Sequence, residues 1–118
     1  MLLIWYPKCS TCQKAKKYLE EHNISFETRD IVLDTPSKNE LKEYLKRSNK
    51  EIKKFFNTSG LKYRELNLKD KIPNMSEDEI LALLESDGML IKRPILVTNN
   101  KVLIGFREKE WSELNENN

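Results

Sequence analysis

Glycine and proline are scarce in this chain, at three and four residues. That excludes collagen-like and low-complexity sequence and argues against a turn-rich β-sandwich. His22 is the single histidine and there are two cysteines, too few for the four ligands of a structural zinc site, so no metal is expected. Neither charge dominates: 21 Lys+Arg stand against 19 Asp+Glu, for a net charge of +2. A dedicated nucleic-acid binder carries a lopsided basic balance, so no direct DNA binding is expected. No apolar run approaches the about 18 residues that cross a bilayer. The longest is Met1–Tyr6, and Pro7-Lys8-Cys9 cuts off any secretory segment. The chain therefore reads as soluble and cytoplasmic, without membrane contact. Its 118 residues, 38% of them hydrophobic, suffice for one core, and 1–118 reads as a single domain without linker or repeat.

The cysteines are Cys9 and Cys12, in Tyr6-Pro7-Lys8-Cys9-Ser10-Thr11-Cys12. A secreted scaffold spreads its cysteines to staple distant segments; two adjacent ones staple nothing. A close C-x-x-C beside a β-then-α pattern instead reads as a thiol–disulfide site. Leu2–Tyr6 is a short apolar run suited to a buried strand, and Ala15, Tyr18, Leu19 and His22 recur at helical spacing. Cys9 thus falls where a helix begins, and free backbone N–H groups there favour a thiolate. Lys8 adds a neighbouring cation, and Ser10 and Thr11 are small enough to leave the sulfur open. Cys12 lies within the first helical turn, in reach of a mixed disulfide formed on Cys9. The plainer alternative is a pair of buried cysteines without a role. Arg93-Pro94 is a second candidate feature. Pro94 opens a strand, as the cis-proline of thioredoxin-like folds does, and Arg93 before it would turn a permanently charged fork towards the thiolate or a bound oxyanion. Its alternative is a surface arginine before an ordinary strand-initial proline.

The rest of the chain alternates helix and strand signals. A second strand is predicted over Ser25–Arg29. Ser37 with Glu40 forms a capping box ahead of Leu41, Tyr44 and Leu45. Asn49, or Ser48 with Glu51, is read as opening another helix with Ile52, Phe55 and Phe56, broken by Asn57-Thr58-Ser59-Gly60. Leu61–Leu68 reads as one or two short helical turns. Ser76 with Glu79 caps a helix through Ile80, Leu81, Leu83 and Leu84, closed by Gly88. Pro94–Thr98 and Lys101–Ile104 form a hairpin across Asn99-Asn100, a pair that tolerates positive φ. Glu108–Leu114 predicts a final helix and Asn115–Asn118 a frayed tail. The order β-α-β, helical block, β-β-α predicts an α/β fold: a thioredoxin-like (glutaredoxin-like) mixed sheet with an inserted helical region. The lysines of Lys42–Lys54 read as a solvated face, and His22 as a helix-end partner.

These residues resemble the ArsC/Spx family, which joins glutaredoxin-linked arsenate reductases to the Spx and MgsR type of regulator. The resemblance rests on Tyr6 to Ala15, Pro36-Ser37, Phe55 to Gly60, Asp87 to Ile95 and Val102 to Phe106, and is nearest to the uncharacterised arsenate-reductase-like branch. It implies the ArsC-like thioredoxin fold, Cys9 as nucleophile, Pro94 as cis-proline and Arg93 as the arginine facing the active cysteine. Lys8, Ser10, Thr11 and Pro94 then form the substrate side of the site. The resemblance departs at Cys12, where the arsenate reductases carry another residue, and at two of their three arginines. Asn57 stands at the second and Gly105-Phe106, with Arg107 beside it, near the third. What it implies is a thiol–disulfide oxidoreductase using a Cys9–Cys12 pair, without a bound cofactor. Glutathione or a thioredoxin/glutaredoxin system would be its reductant. The alternative it offers is an Spx-like redox sensor that binds the α subunit of RNA polymerase.

Overall fold

The computed structural model describes residues 1–114; the predicted tail Asn115–Asn118 lies outside them. Leu2–Trp5 forms β1, Glu27–Asp30 β2, Ile95–Val97 β3 and Val102–Ile104 β4. They join in one sheet of order β2-β1-β3-β4, with β1 parallel to β2 and antiparallel to β3, and β4 antiparallel to β3. The sequence predicted this mixed sheet. β1 is almost uniformly apolar because layers cover both its faces. Leu3 joins Ala15, Leu19, Leu96, Leu103 and Trp111 on one side. Ile4, one residue on, joins Leu41, Phe56, Leu84, Ile95 and Ile104 on the other. The period of two along β1, β3 and β4 thus divides the core into two halves.

The first half is covered by α1 (Ser10–Glu21) and α6 (Glu108–Trp111). The second lies under the inserted helices: α2 (Lys38–Ser48), α3 (Leu61–Glu65), α4 (Leu68–Lys71) and α5 (Glu77–Ser86). Two of the three predicted capping boxes form, with the hydroxyls of Ser37 and Ser76 accepting from the Glu40 and Glu79 amides at 3.1 Å. Among the described residues no helix is long and apolar enough to cross a membrane.

Several local expectations are corrected. The second strand lies at Glu27–Asp30 instead of Ser25–Arg29, set by parallel pairing with Leu2–Trp5. No helix starts at Ser48 or Asn49. Ser48 ends α2, Asn49 caps it at φ 56, and Ile52–Phe55 is only a 3-10 turn. The Ser48 hydroxyl serves that helix end, donating to the Leu45 carbonyl and accepting from the Lys50 amide. Gly88 does not close α5, which stops at Ser86; it opens a 3-10 turn. A Cβ there would stand 2.0 Å from the Ile31 carbonyl oxygen, so close approach requires the glycine. The β3–β4 hairpin forms as predicted, yet the positive φ values of asparagine occur at Asn23, Asn49 and Asn67 and not in its turn. Thr98 closes it instead, its hydroxyl accepting from the Lys101 amide at 3.0 Å. The final helix is shorter than Glu108–Leu114, ending at Trp111.

Candidate active site

Cys9 is the N-cap of α1. The turn leading to it is fixed by its own amide, which donates to the Tyr6 carbonyl at 2.9 Å, and by Gln13 Nε2, which donates to the Pro7 carbonyl at 2.8 Å. Its carbonyl accepts the first helical bond, from Gln13 at 3.0 Å. Ser and Asp are commoner caps because their oxygens take the orphan N–H groups. Here no side chain takes that role, so the amides remain for the sulfur. Cys9 is half-buried and Cys12, one turn on, is fully buried; both are free thiols.

The two thiols titrate in opposite directions. Burial raises the Cys9 pKa, but the Cys12 amide, the Cys12 thiol and the Arg93 guanidinium together outweigh it, and the net shift is downward. Lys8, exposed in the turn, is not among the groups that lower it. Cys12 is pushed up to about 12, first by burial and then by the Cys9 thiolate. The Tyr6 amide, 3.5 Å from Cys12 Sγ, only partly offsets this.

Arg93 enters from the loop before β3, where its bond to Pro94 is cis. Its guanidinium lies 5.2 Å from the Tyr6 ring centroid, a cation–π contact that holds the fork in place. Nε and Nη1 are buried and have no hydrogen-bond partner. Unpaired donors on a buried cation are costly, so an anion in front of Arg93 would satisfy a need the fold leaves open.

Cys9 and Arg93 share a cleft of about 410 Å³. Thr11, Asn57, Phe106 and Arg107 line it as well. Of the predicted substrate-side residues, Thr11 alone reaches it. Lys8 and Ser10 are exposed outside it because the turn and the helix direct them away. Pro94 is buried and does not line the cleft, its carbonyl accepting from the Gly105 amide at 2.8 Å. Ser59, Gly60 and Lys92 also line the cleft; they belong to two segments that carry the resemblance, but the sequence assigns them no place in the site. A bridge between Phe56 and Ile91, with the Lys92 amide donating to the Phe55 carbonyl at 2.7 Å, brings their two segments together. Gly105 adopts φ +75, and a Cβ on it would come within 2.8 Å of Lys92 Cε. The glycine therefore gives both the bend after β4 and the room for Lys92 to cross.

Phe106 and Trp111 meet edge to face with centroids 4.8 Å apart. Trp111 Nε1 donates to the Gly105 carbonyl at 3.2 Å, so α6 fixes the loop that forms one wall of the cleft.

The ArsC family model matches residues 4–114 of the chain. The chain is 58% identical to YusI, an uncharacterised protein of Bacillus subtilis (strain 168), over 92% of each. It is 36% identical to the regulatory protein MgsR of the same organism, over 94% of this chain and 86% of MgsR. An ArsC family related protein from Bacteroides fragilis has a crystal structure that superposes with a TM-score of 0.93 at 52% identity. That alignment covers 95% of this chain and 94% of the other. Matched over nearly all its length in both sequence and fold, this chain belongs to the ArsC family.

Proposed function

We propose that the chain is a thiol–disulfide oxidoreductase in which Cys9 attacks and Cys12 resolves. The observation that carries this reading is the asymmetry of the pair: an N-cap thiol lowered beside Arg93 in an open cleft, and a buried thiol raised one turn on. The Cys9 thiolate attacks one sulfur of a substrate disulfide. A mixed disulfide forms on Cys9, and the other sulfur leaves as a thiolate that takes a proton from water. Cys12 then loses its proton and attacks Cys9 Sγ, forming the Cys9–Cys12 disulfide and releasing the second substrate thiolate. Two electrons pass from the dithiol to the substrate. Glutathione or a thioredoxin/glutaredoxin-type dithiol returns them, and a reducing cytoplasm is the compartment this cycle needs.

The Cys9 charge is one reason Cys12 holds its proton. That charge disappears when the mixed disulfide forms, so Cys12 becomes easier to ionise when it must act. Arsenate reduction is the weaker chemistry for this cleft. Arg93, Lys92 and Arg107 line it, but Asn57 and Phe106 stand at or near the places where the resemblance expects the second and third arginines, and each missing charge-assisted hydrogen bond is worth about 1.5–3 kcal/mol.

The test is disulfide-dependent NADPH oxidation coupled through glutathione and glutathione reductase, with Cys9→Ser as the blank. Turnover above that blank is expected, and Cys12→Ser should accumulate a Cys9 mixed disulfide detectable by intact mass. A Cys9→Ser protein as fast as the parent would sink the reading. The similarity to MgsR favours a second one, a redox sensor that binds the α subunit of RNA polymerase. Under it, retention of the α subunit in a pull-down changes with the oxidation state of Cys9 and Cys12, and turnover stays at the blank.

A further inference from the structure

Beside the Cys9 cleft lies a second cavity of about 350 Å³, and the two share Lys92 and Arg107 as a common wall. Lys50, Lys53 and Lys54 complete its cationic lining. Phe56 and Tyr63 give it an aromatic side, with ring centroids 5.9 Å apart. No carboxylate lines either cavity. Neutralisation from nearby is partial. Lys53 approaches Glu51 at 3.2 Å, while Lys50 and Arg107 share Glu110 at 3.8 Å each. Lys54 and Lys92 make no ion pair among the described residues. In a protein whose net charge is only +2, this concentration of cations is local. A recess with surplus charge over apolar walls gathers anions.

We infer that this pocket receives the phosphate-bearing, aromatic end of a low-molecular-weight disulfide whose sulfur lies at Cys9. Resting on the oxidoreductase reading, the inference names the substrate class that reading leaves open. Lys92 and Arg107 face both cavities, so a ligand extending from the thiolate to the lysines passes over the same two cations. Five cations facing two nearby carboxylates leave a surplus that a single carboxylate cannot balance and a diphosphate can. The half-buried ring of Tyr63, backed by the buried ring of Phe56, suits a flat base by offset or edge-to-face contact. Atoms and electrons move as in the cycle above; the tail only positions the disulfide.

Two measurements test it. ADP carries the base and two phosphates but no sulfur, so calorimetric titration with ADP reads the pocket alone. Saturable binding is expected, weaker at high salt and about tenfold or more weaker in the Lys53→Gln/Lys54→Gln protein. Both lysines are exposed, so their replacement leaves folding intact. The second measurement is the ratio of kcat/KM for coenzyme A disulfide to that for the neutral hydroxyethyl disulfide. It should exceed one and fall about tenfold in the same variant. Disulfide turnover with no ADP binding, or with a ratio the variant leaves untouched, overturns the pocket and gives its charge to an acidic protein surface instead. Variant-sensitive ADP binding with no turnover of either disulfide overturns the reaction and keeps the pocket.

Discussion

Arg93 stands beside Cys9 with Nε and Nη1 unpaired, and its charge is one of the influences that hold the Cys9 thiol low. Arg93→Ala removes the guanidinium's hydrogen bonding to the Cys9 sulfur and its charge, while burial, which pushes the other way, remains. The Cys9 titration should therefore move to higher pH. Alkylation by iodoacetamide, followed against pH, should slow near neutrality and reach the parent rate only in alkaline solution. A midpoint that does not move would mean that the Cys12 amide and thiol suffice. The same residue-level logic explains Cys9 as a cap. A sulfur takes hydrogen bonds weakly, so the helix start stays available to a charged thiolate.

At the scale of elements, the capping boxes show local sequence acting as predicted. Glu40 has a second task. It caps α2 through the Ser37 amide at 3.0 Å and also takes Arg29 in a fork, at 2.7 and 2.9 Å. Arg29 is thereby tied to α2 from β2. The Arg29 hydrogen bonds, against some burial, hold the Glu40 carboxyl at about 2, below its ordinary 4.5. A carboxylate with a depressed folded pKa stabilises the protein above the unfolded value, and that contribution is lost as pH falls through the folded one. Denaturant melts between pH 4.5 and about 2 should thus show a loss of stability that Glu40→Gln lacks. The variant should already be less stable at neutral pH. A parallel pH profile in both proteins would deny the pair this role. Ser48 with Glu51 carries the same spacing without the same result. The Ser48 hydroxyl was already taken by the end of α2, and a spacing rule cannot tell which end of a helix a serine serves.

Across the whole molecule, the sheet separates two cores and the candidate site draws on both. Trp111 is buried to 1% exposure. It packs with Leu3, Leu19 and Leu103 on the α1 side while its indole holds Gly105, the pivot of the cleft wall. Trp111→Ala should cost about 3–5 kcal/mol in chemical denaturation. Trp111→Phe keeps much of the packing but strands the Gly105 carbonyl, at about 1–3 kcal/mol. In that second variant the reactivity of Cys9 towards a bulky disulfide should fall more than its reactivity towards iodoacetamide, because the wall and not the thiolate is disturbed. Equal loss with both reagents would mean that the damage had spread to α1.

The sequence alone determined the order of the main elements, two of three capping boxes and the position of Cys9 at a helix start. Each of these depends on hydrogen bonds and side-chain periodicity within a few residues. It also pointed to Arg93, through its neighbour Pro94 and through the family resemblance. Only the tertiary structure decided that Ser59, Gly60 and Lys92 join Asn57, Gly105 and Arg107 near Cys9, and that Lys8 and Ser10 do not line the cleft. Segments far apart in the chain are joined by the bridge from Phe56 to Ile91 and by the Gly105–Pro94 hydrogen bond. Such pairings follow from how sheet and helices close on a common core, and no window of neighbouring residues contains that information. The same closure carried lysines of a stretch that reads locally as a solvated face to the rim of a cavity beside the reactive thiol.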